Sequence, residues 1–249
     1  MNKKKICILV PVWKPYLNFH EQHAIQQLYK VLSPDKYDIF LIGPEYLNET
    51  WYKENLKYVS LVRFWDSYFA TNISYSKLML NSGFYNSFRD YEFMLIYQTD
   101  AWVFKDDLME WVAKGYDYIG APFMFRYPSS HGGAVKKRMY NGNGGVSLRN
   151  IEVMIEQLGR WGGKINLDGI YEDILISEQF HFNKVPTFME CVNFSWDTEP
   201  DLLWQVNQFH LPTFCHNYLV NGYDFYKDFG LIEYYKYLDD LYKQKQIKE

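Results

Sequence analysis

Apolar residues along this chain come in two rhythms. Short unbroken runs, at residues 5–12, 37–42, 58–64 and 93–98, alternate with stretches where apolar positions recur every three or four residues, as at Ala24, Leu28 and Val31. Unbroken runs of this length mark strands buried on both faces of a parallel sheet. The wider spacing is that of helices with one apolar face. A strand over 5–12 is therefore expected to lead into a helix over 19–32, capped by Asn18 and closed by Ser33-Pro34-Asp35. Strands follow over 37–42, stopped at Gly43-Pro44, and over 58–64. A helix over 75–88 has a weak point at Gly83. A strand over 93–98, a helix over 107–114 capped by Asp106, and a strand over 116–121 complete the first half. The alternation predicts a doubly wound α/β sheet.

After residue 121 the rhythm changes. Residues 126–145 hold five glycines, Pro128 and the run Lys136-Lys137-Arg138. Loops this long are usually functional or disordered. A short strand over 146–148 leads to a helix capped by Asn150 and reaching Leu158. Asp168-Gly169 turns the chain, and 171–182 reads as a helix. From 183 to 222 no period is visible. Residues 223–247, rich in Tyr and Lys, read as a terminal helix. With no repeat and no linker, 249 residues fit one domain. Its expected parts are a nucleotide-binding half (1–121), an acceptor and catalytic half (122–222) and a C-terminal helix (223–249).

Composition narrows the classes. A formal charge of −4 leaves no basic surface for nucleic acid. Cys7, Cys191 and Cys215 are odd in number and lack metal-type spacing, so reduced, buried thiols and a cytoplasmic location are expected. No apolar run is long enough to span a bilayer. Lys3-Lys4-Lys5 before Ile6 looks like a secretory leader, but the apolar run is short and Pro11 and Lys14 interrupt it. Aromatics make up 20% of residues, with 23 Tyr. An AT-biased genome explains that more simply than sugar binding does.

Four elements can carry chemistry. Pro11-Val12-Trp13 ends the first strand, where a nucleotide meets such a sheet. Gln98-Thr99-Asp100 closes the 93–98 run with a carboxylate. Asn141-Gly142-Asn143-Gly144-Gly145 is followed by Tyr171-Glu172-Asp173. His216 stands in Pro212-Thr213-Phe214-Cys215-His216. A reaction that expels a nucleoside diphosphate needs its developing charge offset, and a divalent cation does so. Asp100 and His216 supply one oxygen and one nitrogen ligand, a mixture that favours Mn²⁺ or Mg²⁺, with imidazole tipping it toward Mn²⁺. Glycines let backbone approach a sugar closely. Asp173 suits a general base on an acceptor hydroxyl, and Glu172 suits the same role or a hydrogen bond to a hydroxyl. Each element also has a plainer reading: a turn Asp, an ordinary loop, first-turn acids on a helix, a structural His. Their order together favours the chemical one.

The strings Tyr97-Gln98-Thr99-Asp100-Ala101, Tyr116-Asp117-Tyr118-Ile119-Gly120-Ala121-Pro122 and Gly142-Asn143-Gly144-Gly145-Val146-Ser147-Leu148-Arg149, followed by Glu172-Asp173, resemble a family of bacterial glycosyltransferases. Its members sit in capsule and O-antigen clusters, many catalogued only as domains of unknown function. The resemblance runs from the first strand to His216. It implies the GT-A fold, a single Rossmann-like α/β domain with a mixed, mostly parallel sheet flanked by helices. Asp100 then matches the last acid of the Asp-x-Asp metal motif, Gly142–Gly145 the glycine-rich loop, Asp173 the base of inverting members, and His216 the late metal-binding histidine. Gln98 departs from the pattern, standing where the first motif Asp is usual. A neutral amide weakens metal binding, which leaves metal independence open, with Lys136, Lys137 or Arg138 sharing the leaving-group charge.

The expected function is transfer of a hexosyl or galactofuranosyl unit from a UDP-sugar to a glycan, in bacterial surface polysaccharide synthesis. Transfer is expected to invert, with Asp173 as base. Donor contacts are expected from Pro11, Val12, Trp13, Gln98, Thr99, Asp100, Gly144 and Gly145. Acceptor or loop contacts are expected from Asn143, Lys136, Lys137 and Arg138, with the 126–140 loop closing over the donor. The acceptor is expected on a lipid carrier at the inner membrane face. For the C-terminal segment, packing on the domain is favoured over membrane contact. The rivals are a retaining transferase, a nucleotide-sugar or glycan-binding protein without turnover, and, last, a nucleotidyltransferase. Against the last, little glycine follows the first strand.

Overall fold

The computed structural model describes residues 3–124, 141–161, 171–221 and 225–226. Its strands are β1 (Lys4–Pro11), β2 (Asp38–Pro44), β3 (Leu61–Phe64), β4 (Tyr91–Tyr97), β5 (Ala101–Val103), β6 (Tyr118–Gly120), β7 (Val146–Asn150), β8 (Ser195–Trp196) and β9 (Phe214–His216). Six of them form one sheet in the order β3-β2-β1-β4-β7-β6. β1 to β4 are parallel, and β7 runs against both β4 and β6. This is the mixed, mostly parallel sheet that the resemblance implies.

Central β1 and β4 are apolar throughout because both faces are covered. Ile8, Val10, Leu95 and Tyr97 pack toward the helix Phe19–Val31, which brings Ile25 and Leu28. Cys7, Leu9, Met94 and Ile96 pack on the other face, under helices Asn72–Met79, Ser82–Asn86 and Ile151–Trp161. The Phe19–Val31 helix starts as expected. Asn18 Oδ1 accepts from the Glu21 amide (3.0 Å), and Glu21 Oε2 accepts from the Asn18 amide (2.9 Å), a reciprocal cap. Asn150 likewise caps its helix through the Val153 amide.

Several expectations are corrected. Gly43-Pro44 does not stop the second strand, which runs through both. A Cβ at 43 would lie 2.7 Å from the Val12 carbonyl oxygen, so only glycine fits this crossing of neighbouring strands. The 75–88 segment is two helices, broken ahead of Gly83, where Asn81 caps the second by accepting from the Gly83 amide. Asp106 is not a cap. Its carboxylate accepts from Lys36 Nζ and Tyr37 Oη at 2.6 Å each, and Asp107 takes the N-cap position.

The largest departure lies in 183–222. This stretch holds helices Phe188–Phe194 and Pro200–Val206 and two strands of a second sheet, β5-β9-β8. A third apolar cluster, including Trp102, Trp196, Leu203 and Cys215, lies around that sheet. Lys136, Lys137, Arg138, the rest of 125–140, the expected turn at Asp168-Gly169, and 223–224 and 227–249 of the expected terminal helix lie outside the described residues. Among the described residues, no helix is long and apolar enough to cross a membrane. All three thiols are free and buried.

Candidate active site

Strand ladders assemble the site at the carboxyl edge of the parallel strands. β4 pairs with β7 so that Tyr97 faces Val146, and the Gln98 amide donates to the Gly145 carbonyl (3.0 Å). β5 pairs with β9 so that Ala101 faces His216, which sets His216 beside Asp100 although the two are far apart in sequence. β8 pairs with β9 so that Trp196 faces Cys215, delivering Asp197 to the same imidazole. The Asn217 amide closes the group by donating to the Asp100 carbonyl (3.0 Å).

His216 is therefore held at both ring nitrogens. Nδ1 lies 3.0 Å from Asp197 Oδ1, and Nε2 lies 3.0 Å from Gln98 Oε1 and 3.3 Å from Asp100 Oδ1. Burial alone would lower its pKa. Its hydrogen bonds to Asp100 and Asp197 outweigh that and raise it to about 10. A carboxylate behind an imidazole, fixing its orientation, is the usual support of a metal-binding histidine. Gln98 Oε1, the Asp100 carboxylate and His216 Nε2 would offer a divalent cation two oxygens and one nitrogen once the cation displaces the Nε2 proton that the raised pKa keeps in place. Among the described residues no three His, Cys, Asp or Glu side chains converge as ligands. A cation here would rest on one charged ligand, and it would need oxygens from a bound diphosphate to complete its shell.

Opposite this group stands the start of the helix Glu172–Gln179. Asp173 Oδ2 accepts from the Gly144 amide (3.0 Å) and Oδ1 from the Ile174 amide (2.8 Å). Burial, and then the neighbouring Glu172 charge, push its pKa up to about 7 against those donors and Arg149. Glu172 turns inward and is 6% exposed. It accepts from Ser76 Oγ at 2.6 Å and lies 3.7 Å from Arg149 Nη2.

The glycine-rich loop packs closely against protein side chains. Space for a Cβ on Gly142 is filled by the Phe123 ring, on Gly144 by Glu172 and Asp173, and on Gly145 by His216. These glycines let the loop close on protein side chains, although Gly144 and Gly145 also border the cavity.

That cavity, of about 410 Å³, is walled by Trp13, Tyr75, Gln98, Asp173 and His216 among others. Of the residues expected to meet a donor, Trp13, Gln98, Gly144 and Gly145 reach it, as does Asn143 from the acceptor set, while Asp100 meets His216 Nε2 without lining the cavity. Pro11 and Val12 do not. Pro11 pairs with Ile42, and Val12 is 1% exposed in the core. Thr99 also turns away, donating to Glu21 Oε1 (3.2 Å). Sequence reasoning missed Thr71, Asn72, Tyr75 and Ser76 on the cavity wall, and Asp197 behind His216. No local pattern marks them, though Thr71 opens its helix with a cap on Ser74.

Comparison with known proteins follows this geometry. A family model described as "Protein of unknown function (DUF5672)" matches residues 58–216. No curated protein matches. Solved structures similar in fold include the following three. The galactosyltransferase LgtC, in complex with donor and acceptor sugar analogs, is 12% identical with TM-score 0.53, over 84% of this chain and 86% of its own. A glycosyltransferase involved in glycosylation of the major capsid of PBCV-1 is 11% identical with TM-score 0.51, over 85% and 92%. The bifunctional glycosyltransferase WbbM is 12% identical with TM-score 0.57, over 86% of this chain and 45% of its own. The shared architecture is the GT-A fold.

Proposed function

The chain belongs to the DUF5672 family, and from that premise and its GT-A fold we propose that it is a glycosyltransferase. Its donor is a nucleoside-diphosphate sugar, read here as a UDP-hexose or UDP-galactofuranose. Its acceptor is a glycan of a bacterial surface polysaccharide, carried on lipid at the inner membrane face. The 1–121 half holds the nucleotide, and 122–222 the acceptor and catalytic groups. One observation carries the reading: a single cavity is lined by Gln98 and by His216, which Asp100 contacts, and also by the raised-pKa carboxylate of Asp173.

Asp173 accepts the proton of the acceptor hydroxyl. That oxygen attacks the anomeric carbon as the bond to the diphosphate oxygen breaks, which inverts the anomeric centre. A base with pKa near the working pH does this best. Trp13 gives the donor an aromatic wall. A cation held by Asp100, His216 and Gln98 would offset the charge of the departing diphosphate. The retaining alternative keeps Asp173 as a substrate contact, and NMR of the product anomer separates the two.

Gln98 supports a second reading. An amide where an acid is usual lowers the charge available for a metal, as suits a protein that binds nucleotide-sugar or glycan without turnover. It predicts UDP-sugar binding with no UDP released on adding acceptors.

The test is a thermal-shift screen against UDP, GDP, CMP and dTDP, with and without Mn²⁺, on the native protein and Asp100→Ala. Stabilisation by one nucleotide, strengthened by Mn²⁺ and lost in the variant, is expected. Equal stabilisation without metal moves the charge-balancing role elsewhere, and no response to any nucleotide overturns the reading.

A further inference from the structure

Two adjacent carboxylates open the Glu172–Gln179 helix, and the protein treats them differently. Glu172 is clamped from two elements. Ser76 Oγ, on the Asn72–Met79 helix, donates to Oε2 at 2.6 Å, and the Glu172 amide donates back to Ser76 Oγ at 3.3 Å. Arg149, on β7, brings Nη2 to 3.7 Å from Oε1. The guanidinium is itself fully buried and has no freedom to reach elsewhere. It donates to Tyr85 Oη (2.8 Å) and Ser147 Oγ (2.9 Å), and it stands 5.4 Å over the Tyr118 ring. Asp173 has backbone amides as its hydrogen-bond donors, and both carboxylates border the cavity.

We propose that Glu172 is a positioning residue that sets the basicity of Asp173: its carboxylate, held by Arg149 and Ser76 beside Asp173, repels a second negative charge there. The inference rests on the reading of Asp173 as the base. The physical reason is proximity under low dielectric. Two acids share one buried cation, Glu172 has the nearer claim on it, and a like charge beside a buried carboxyl disfavours its ionisation.

Among the described residues, the groups facing Asp173 are few. From its own helix come Glu172 and the Ile174 amide, and from the glycine loop the Gly144 amide. Arg149 faces it from β7 and Tyr118 from β6. Tyr75 and Ser76 on their helix, and Tyr85 on the Ser82–Asn86 helix, reach Glu172. Of these, Glu172 is the negative charge.

The experiment is an NMR titration of the full chain with isotope-labelled aspartate carboxyl carbons, with no nucleotide or acceptor present. The Asp173 resonance is identified by its loss in Asp173→Asn. In the native protein its midpoint is expected well above the ordinary value of about 3.9. Glu172→Gln should lower that midpoint by about one pH unit or more, and Glu172→Asp, which keeps the charge, should leave it raised. A native midpoint in the ordinary range overturns the proposal even where Glu172→Gln fails to fold. So does an unchanged midpoint in a folded Glu172→Gln. The catalytic reading fails separately: it falls if Asp173→Asn turns over like the native enzyme. Once an acceptor is in hand, Glu172→Gln should move the acidic limb of the kcat profile to lower pH, which a purely structural residue would not do.

Discussion

Gly145 and His216 meet through an absent side chain: a Cβ on Gly145 would lie 2.2 Å from Nε2 of the imidazole. The imidazole is pinned at its other nitrogen by Asp197 and cannot retreat without losing that bond. Gly145→Ala should therefore fold, lose about 1–3 kcal/mol of stability through overpacking, and lose Mn²⁺-dependent nucleotide binding. Gly159 is the control, because a methyl there meets nothing within 4 Å inside the Ile151–Trp161 helix. Gly159→Ala should gain about 0.5–1 kcal/mol. Denaturant unfolding and UDP titration calorimetry check both, and undiminished nucleotide binding by Gly145→Ala would contradict the placement of His216.

Asp197 touches His216 from behind and holds its ring toward Gln98 and Asp100. Replacing such a supporting carboxylate usually costs about 10–100-fold in metal affinity. Asp197→Asn should weaken Mn²⁺ binding in the presence of UDP by that factor while leaving the far-UV spectrum unchanged. Manganese titration followed by water-proton relaxation reads it directly.

Arg149 and Glu172 form a buried ion pair at 3.7 Å. Removing one partner strands the other charge, at about 3–5 kcal/mol. Arg149→Met should show that loss in urea unfolding. The double variant Arg149→Met, Glu172→Gln should cost less than the sum of the singles, by about 0.5–3 kcal/mol. Strict additivity would mean that the pair does not interact.

Asp173 makes stability depend on pH with a definite sign. Its folded-state pKa is raised to about 7 by burial and by Glu172, against about 3.9 unfolded. Below the unfolded value both states hold the proton. As pH rises from there, the unfolded chain releases it first, and stability is lost until the folded-state pKa is passed. Asp173→Asn abolishes this loss. Relative to native, the variant should gain stability steadily between about pH 4 and pH 7 and remain level above. Any fixed cost of the amide drops out of the comparison, and equal differences at both ends of that range would count against a raised pKa.

Much of the fold can be read from the chain because its signals are local. The apolar runs of β1 and β4 and the cap at Asn18 each lie within a few neighbours of the residues they organise. The Asp106 reading shows the limit. Nothing in the sequence distinguishes a cap from a partner of Lys36 and Tyr37, because those partners lie 70 and 69 residues away along the chain. Strands of two and three residues such as β8 and β9 leave no period to detect, so the segment that carries Asp197 and His216 looks structureless until it pairs with β5.

The sequence by itself determined the α/β alternation, the two buried central strands, and the identities of Asp100, Asp173 and His216 as candidate groups, since residue type and local pattern suffice for these. Tertiary structure alone decided which groups meet. Ladder register set Asp197, Gln98 and Asp100 around one imidazole, and the packing of Phe123 and His216 turned the loop glycines toward protein. One buried guanidinium chose Glu172 over Asp173. Each of these is a long-range contact, fixed by where strands and helices pack and by no local property of the chain.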